Sequence, residues 1–284
     1  MYTMPTLRLL SEISMQAVNK EVRLAGKIVA TLVRDKLHYP GRLIAESLTM
    51  AVRCGVLLIL YWYVFNLRGG EINNTTFAPV AWSMFFYFAF SALRLRDISR
   101  VIMQDVQSGS IEQLFSKPIS YILYRCWWQI GDGLYPFTVA TAFGSIILLL
   151  LVGLPESMAI GLFLPTLLLA LLGATALSLI LYMIVGLFAF WIEEVTPLHW
   201  IVDKAIMILG GSYLPIALFP EFMYKIAIYS PFGASKFVTH TVTTSWQSNW
   251  YILVSIQVFW IVLLGICLYW MFRRARLKVS VNGG

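Results

Sequence analysis

Between Ser157 and Ile192 the chain reads SMAIGLFLPTLLLALLGATALSLILYMIVGLFAFWI, without a single Asp, Glu, Lys or Arg. A helix needs roughly 20 apolar residues to cross the hydrocarbon of a bilayer, so this stretch is long enough to span. Three further stretches, Ile72 to Leu93, Gly133 to Pro155 and Phe237 to Phe272, are also free of charge. The whole chain is 59% apolar and 12% charged with a mean hydropathy of +0.77, whereas soluble domains run near 45–50% apolar and about 25% charged. One water-soluble core cannot hide that excess. The fold class is therefore an all-α polytopic membrane protein, which excludes a secreted, nucleic-acid-binding or soluble-enzyme reading.

Six crossings fit the hydropathy: Ala45 to Asn66, Phe77 to Leu93, Leu134 to Val152, Met158 to Ile192, Leu198 to Leu218 and Trp250 to Phe272. The fourth is long enough to be tilted or broken near Gly173. The fifth is weak, because Asp203 and Lys204 sit in its first half and Gly210, Gly211 and Pro215 interrupt its second. Asp132, flanked by Gly131 and Gly133, reads as a break between an interfacial helix and the third span. The organisation is then residues 1–40 as an N-terminal interfacial segment, 41–273 as a six-helix transmembrane domain and 274–284 as a basic tail.

Charge placement sets the orientation, since cytoplasmic loops carry the excess of Lys and Arg. With the N-terminus inside, seventeen of the 21 cations fall on the inner side, only Arg68, Lys225 and Lys236 fall outside, and Arg53 lies within a span. Both termini are accordingly cytoplasmic. Nine of the ten tryptophans lie near the ends of the expected spans, where indoles prefer the interface. Arg53 lies nearer the inner half and can reach toward Glu46 or the headgroups. The net charge of +7 resides in alternate loops, so nucleic acid is not an expected partner. Met1 to Lys20 contains no apolar core of a cleavable signal, which leaves the first span to act as its own insertion signal.

Ahead of that span, Val18, Val22, Ala25, Val29 and Leu32 step by three or four residues while Lys20, Arg23, Lys27 and Arg34 fall largely opposite. This pattern fits a helix lying in the inner leaflet with its cations near anionic headgroups; a solvated helix packed on a partner is the alternative. At the other face, Glu221 to Trp250 offers amphipathic pieces bounded by Pro220 and Pro231 that are too short to cross. Non-helical backbone at membrane depth survives only where protein or water satisfies it, a condition met by a half-inserted hairpin. A folded outer loop is the competing reading.

No phosphate-loop pattern, zinc-protease motif or Ser/His/Asp set occurs. Cys54, Cys126 and Cys267 share no metal or disulfide spacing, and His38, His199 and His240 are scattered. No directly bound cofactor or metal and no catalytic residue is therefore expected. The informative loop is RLRDISRVIMQDVQSGSIEQLFSKPISYILYR, Arg94 to Arg125. Ser110 and Gln113 stand at capping-box spacing, Gly109 permits the preceding turn and Pro118 stops continuation. A short cytoplasmic helix between spans two and three follows, with Ile111, Leu114 and Phe115 on one face. That face is expected either as an exposed docking knob or packed against the protein's own inner helix ends.

This loop phrase, from Asp105 to Pro118, resembles that of the membrane subunits of type-2 ATP-binding-cassette exporters, in the bacterial six-span branch; it is one residue short between Phe115 and Lys117. Gly210 to Pro220, followed by Ser230, Pro231 and Phe232, is similar to the stretch where such permeases end their fifth helix and form an outer re-entrant hairpin. The resemblance implies a coupling helix docking an ATPase subunit through Ser110, Ile111, Glu112, Leu114 and Phe115, and a hairpin shaped by Pro215, Pro220 and Pro231. It implies a bacterial inner-membrane permease that pairs with a second copy or paralogue, with ATP and Mg²⁺ handled by the ATPase partners. An apolar or amphipathic cargo, such as a drug, lipid or peptide-like molecule, would then pass aromatic residues of spans one and two, Tyr61, Trp62, Phe85 and Phe86 among them. Without a motor, the alternative is an integral lipid-binding or lipid-modifying protein.

Overall fold

A computed structural model describes the backbone of residues 5–38, 40–72, 75–115, 120–155, 158 and 160–282, and their side chains from Glu21 to Lys278 apart from residues 40, 42–47, 50 and 160. Glu46, Pro118 and the amphipathic positions before Glu21 lie outside the described side chains. The chain is almost wholly helical. Helices α1 (Pro5–Leu37) and α2 (Pro40–Leu67) lead to a two-rung antiparallel ribbon, β1 (Glu71–Ile72) with β2 (Thr75–Thr76), and then α3 (Phe77–Ser91). The segment after α3 holds α4 (Ile98–Gln107) and α5 (Ser110–Phe115), after which come α6 (Tyr121–Leu151), α7 (Ile160–Leu187) and α8 (Thr196–Leu209). Two short helices, α9 (Glu221–Tyr229) and α10 (Pro231–Ala234), precede the 39-residue α11 (Thr244–Asn282).

Among the described residues, four stretches are long and apolar enough to cross a membrane: Phe77–Gln107, Tyr121–Leu151, Gly161–Phe190 and Thr244–Lys278. A shorter apolar helix covers Ala51–Leu67. Leu150 and Leu151 on α6, Leu168 and Leu172 on α7 and Val262 and Ile266 on α11 stay exposed, an apolar exterior that fits lipid rather than water. The core lies where α3, α7 and α11 meet, around Phe90, Leu177, Met183 and Phe237.

Several boundaries differ from the sequence expectation for identifiable reasons. The fourth segment passes Gly173 unbroken, because that glycine gives room to the side chain of Gln257 on α11. Helix α6 likewise runs straight through Asp132. Its two flanking glycines serve close approach: a Cβ on Gly131 would sit 2.9 Å from Leu32 of α1, and one on Gly133 would strike the carbonyl oxygen of Leu93. Asp132 itself binds Lys36 of α1 at 2.8 Å. The expected fifth crossing is helical only to Leu209, where Gly210 and Gly211 turn the chain, the latter at φ +85°. At ~1.5 Å per residue its 14 residues span about 21 Å, short of the ~30 Å hydrocarbon core. The basic residues after Phe272 do not form a separate tail but continue α11.

Candidate functional site

The loop helix begins where the sequence places it. Gly109, at φ +71°, makes the turn that a side chain would strain, and the Glu112 N–H donates to the Gly109 carbonyl at 3.2 Å. The Ser110 hydroxyl donates to the Asp105 carbonyl and carboxylate at 3.4 and 3.3 Å. The apolar face is not an exposed knob. Ile111 is 2% exposed within the core, while Leu114 and Phe115 are half-buried against it. The Phe115 ring meets Tyr121 and Phe272 edge-on, with the Arg276 guanidinium over it at 5.8 Å. Gly109, Glu112 and Gln113 form the open surface of the turn.

What sequence reasoning missed is the clamp behind this helix. Asp105 of α4 is 6% exposed, yet its carboxylate is fully engaged. Arg125 of α6 grips both oxygens, with the Nε bond at 2.7 Å, and the Tyr121 hydroxyl donates to Oδ2 at 2.6 Å. A buried carboxylate is tolerable only with such donors. The one available signal was a lone acidic residue in α4, with its partner twenty positions away.

Helix α4 carries the clamp onward to α7 and α8. Gly186 of α7 lets α4 approach so closely that a Cβ would lie 2.9 Å from Ile102. The buried Ser99 hydroxyl meets His199 Nδ1 at 2.7 Å, and Arg96 pairs with Asp203 at 3.6 Å. Asp203 also accepts from the Tyr182 hydroxyl at 2.9 Å. At the start of α8, the Thr196 hydroxyl and its N–H, the latter at 2.9 Å, donate to Glu194 and hold that carboxyl below its ordinary pKa.

Beyond Asp203 lies a cavity of about 420 Å³ among α2, α3, α7, α8 and the segment after α10. Tyr87, Phe88 and Phe90 of α3 line it, together with Tyr182, Asp203 and Lys236. The aromatics singled out from sequence are elsewhere. Phe85 and Phe86 stack with Trp82 and Phe163 inside the core, whereas Trp62 is exposed on α2 and the Tyr61 hydroxyl donates to the Tyr213 carbonyl at 2.6 Å.

The three prolines bracket the segment that closes the cavity. Pro215 precedes a 3₁₀ turn (Ile216–Leu218), Pro220 starts α9, and Pro231 opens α10, where Ser230 caps the Gly233 N–H at 3.1 Å. From there a fully buried 3₁₀ run (Phe237–Val242) leads back to α11. Along α11 the Tyr224 hydroxyl reaches Ser245 at 3.2 Å, Gln257 donates to the Ala234 carbonyl at 2.8 Å and Trp260 to the Tyr229 carbonyl at 3.0 Å. Thus α9 and the return run lie beside the first half of α11, with the apex between Tyr229 and Lys236. Lys236, which the charge count assigns to an outer surface, is instead buried at this apex, its ammonium over Phe90 at 4.3 Å and Tyr87 at 5.0 Å.

Among the described residues no three His, Cys, Asp or Glu side chains converge on a metal-sized space. Compared with known proteins, the chain matches no family model and no curated protein sequence.

Proposed function

We propose that this chain is the permease subunit of an ATP-driven exporter, working as a dimer with a second copy or a related chain and docking separate ATPase subunits from the bacterial cytoplasm. The reading rests on the sequence resemblance and on one structural observation, the unbroken series of polar contacts from the loop helix to the cavity. Asp105 ties α5 and α4 to α6, Ser99–His199 ties α4 to α8, and Arg96–Asp203 ties the turn before α4 to α8. Force applied at the turn would therefore be delivered as motion of packed helices rather than lost in a loose loop. In this reading Pro220 and Pro231 bracket a re-entrant hairpin that closes the outer end of the pathway, and α1 lies along the inner leaflet. The ATPase would close on binding ATP and Mg²⁺ and bias the permease toward one access state, which requires unequal affinity for the two states.

Since Ile111, Leu114 and Phe115 are engaged inward, the docking surface would be the exposed side of the turn. Glu112→Arg reverses a charge there without disturbing the core. The expected result is loss of co-purification with the ATPase subunit and of nucleotide-driven transport in vesicles, at an unchanged thermal midpoint. Retained transport in that variant, or transport by the purified chain alone, would overturn the proposal.

A further inference from the structure

The cavity has an unbalanced charge. Arg53, Arg94, Arg96 and Lys236 line it against the single carboxylate of Asp203. Arg94 is held by Asp97 at 3.1 Å, and Arg96 lies 3.6 Å from Asp203. Lys236 is different: it is 8% exposed, and among the described residues no carboxylate lies within 4 Å of its ammonium. Two aromatic faces, Phe90 and Tyr87, lie against it, and the charge of Asp203 acts on it from farther off. Withdrawing an ammonium from water is costly unless a counter-charge or hydrogen-bond acceptors replace the hydration, and ring faces return only part of that.

Lys236 also has a fixed position. Its N–H donates to the Gly233 carbonyl at 2.8 Å, and its stem fills the space that a Cβ on Gly210 would need. The apex therefore presents a cation to a chamber whose other walls carry aromatic rings, three arginines and the Asp203 carboxylate. We infer that this chamber binds an amphiphile through an anionic headgroup, with Lys236 as the counter-ion and Tyr87 and Phe90 packing against the apolar part beside it. Aromatic walls accept an apolar body without fixed hydrogen bonds, and a chamber of about 420 Å³ accommodates a headgroup with the start of its chain. This deepens the permease reading by naming its cargo class, while the binding itself needs no ATPase and can be measured apart from transport.

The test uses the full chain in maltoside detergent with lysophosphatidylglycerol as the anionic probe, lysophosphatidylcholine as its zwitterionic counterpart and inorganic phosphate as the headgroup alone. Native mass spectrometry should show lysophosphatidylglycerol bound in preference to lysophosphatidylcholine, with Lys236→Met weakening it about tenfold to a hundredfold, the range of one charge-assisted contact. Lys236→Arg should retain most of the affinity. On the unmodified chain, lysophosphatidylglycerol should protect against thermal unfolding more than lysophosphatidylcholine does, a readout independent of how any variant folds. Equal binding of the two lysolipids, unaltered affinity in Lys236→Met, or absence of protection would overturn the proposal. Displacement by millimolar inorganic phosphate would also overturn it, because the headgroup alone would then suffice.

Discussion

Replacing Asp105 with alanine removes a buried acceptor from three side chains at once. The Arg125 guanidinium, whose side chain is 12% exposed, loses its counter-ion, the Tyr121 hydroxyl loses its acceptor, and the Ser110 hydroxyl keeps only the backbone carbonyl of residue 105. Breaking a buried ion pair by deleting one partner costs about 3–5 kcal/mol, mostly because the surviving charge remains out of water. Arg125→Met strands the carboxylate in the same way. The double variant, Asp105→Ala with Arg125→Met, strands neither charge, so its cost should fall well below the sum of the singles, with a coupling of about 2 kcal/mol or more. The chain supplies its own reporter: Cys54 is buried and Cys126 half-buried, so a thiol-reactive dye would label them as the core opens, once exposed Cys267 is changed to serine. The single variants should lower the thermal midpoint by on the order of 5–10 °C, with the double variant regaining much of that loss. Midpoints within a degree of the parent, or single effects that simply add, would refute the clamp.

At Gly133 an alanine Cβ meets the backbone carbonyl of Leu93, which cannot swing aside as a side chain can. Gly133→Ala should therefore sharply reduce the yield of folded protein in detergent, whereas Gly26→Ala, with open space around it, should be neutral or slightly stabilising. Ser99→Ala deprives buried His199 of its partner and should cost about 1–3 kcal/mol in the same thermal assay.

Sequence alone carries the helical class and the loop helix, because uncharged length and a Gly109–Ser110 start are local signals. It also marks the proline-bounded segment, in which Pro220 and Pro231 set both ends of α9 and the start of α10. It fails where one residue type serves two purposes. Gly131 and Gly133 read as a break because glycine loosens a helix, but here they allow α1 and the end of α3 to approach α6. Lys236 reads as a loop charge because a loop count assumes that residues between spans meet solvent, whereas this segment folds back into the core. Of the two placements the sequence leaves open for Ile111, it takes the inward one, because α11 continues past the expected membrane boundary and covers the loop. The Asp105–Arg125 pair joins residues on separate helices, and no local period encodes that distance.

Helix α11 gives the molecule a single rigid spindle. Its 39 residues span about 58 Å, nearly twice the hydrocarbon thickness. Gln257 and Trp260 hold the apex of the hairpin, while Phe272 and Arg276 press on the ring of Phe115. Axial rotation of that spindle would turn both stations together, so a twist at the α5 turn would be felt at Tyr229 and Ala234 without passing through any loop.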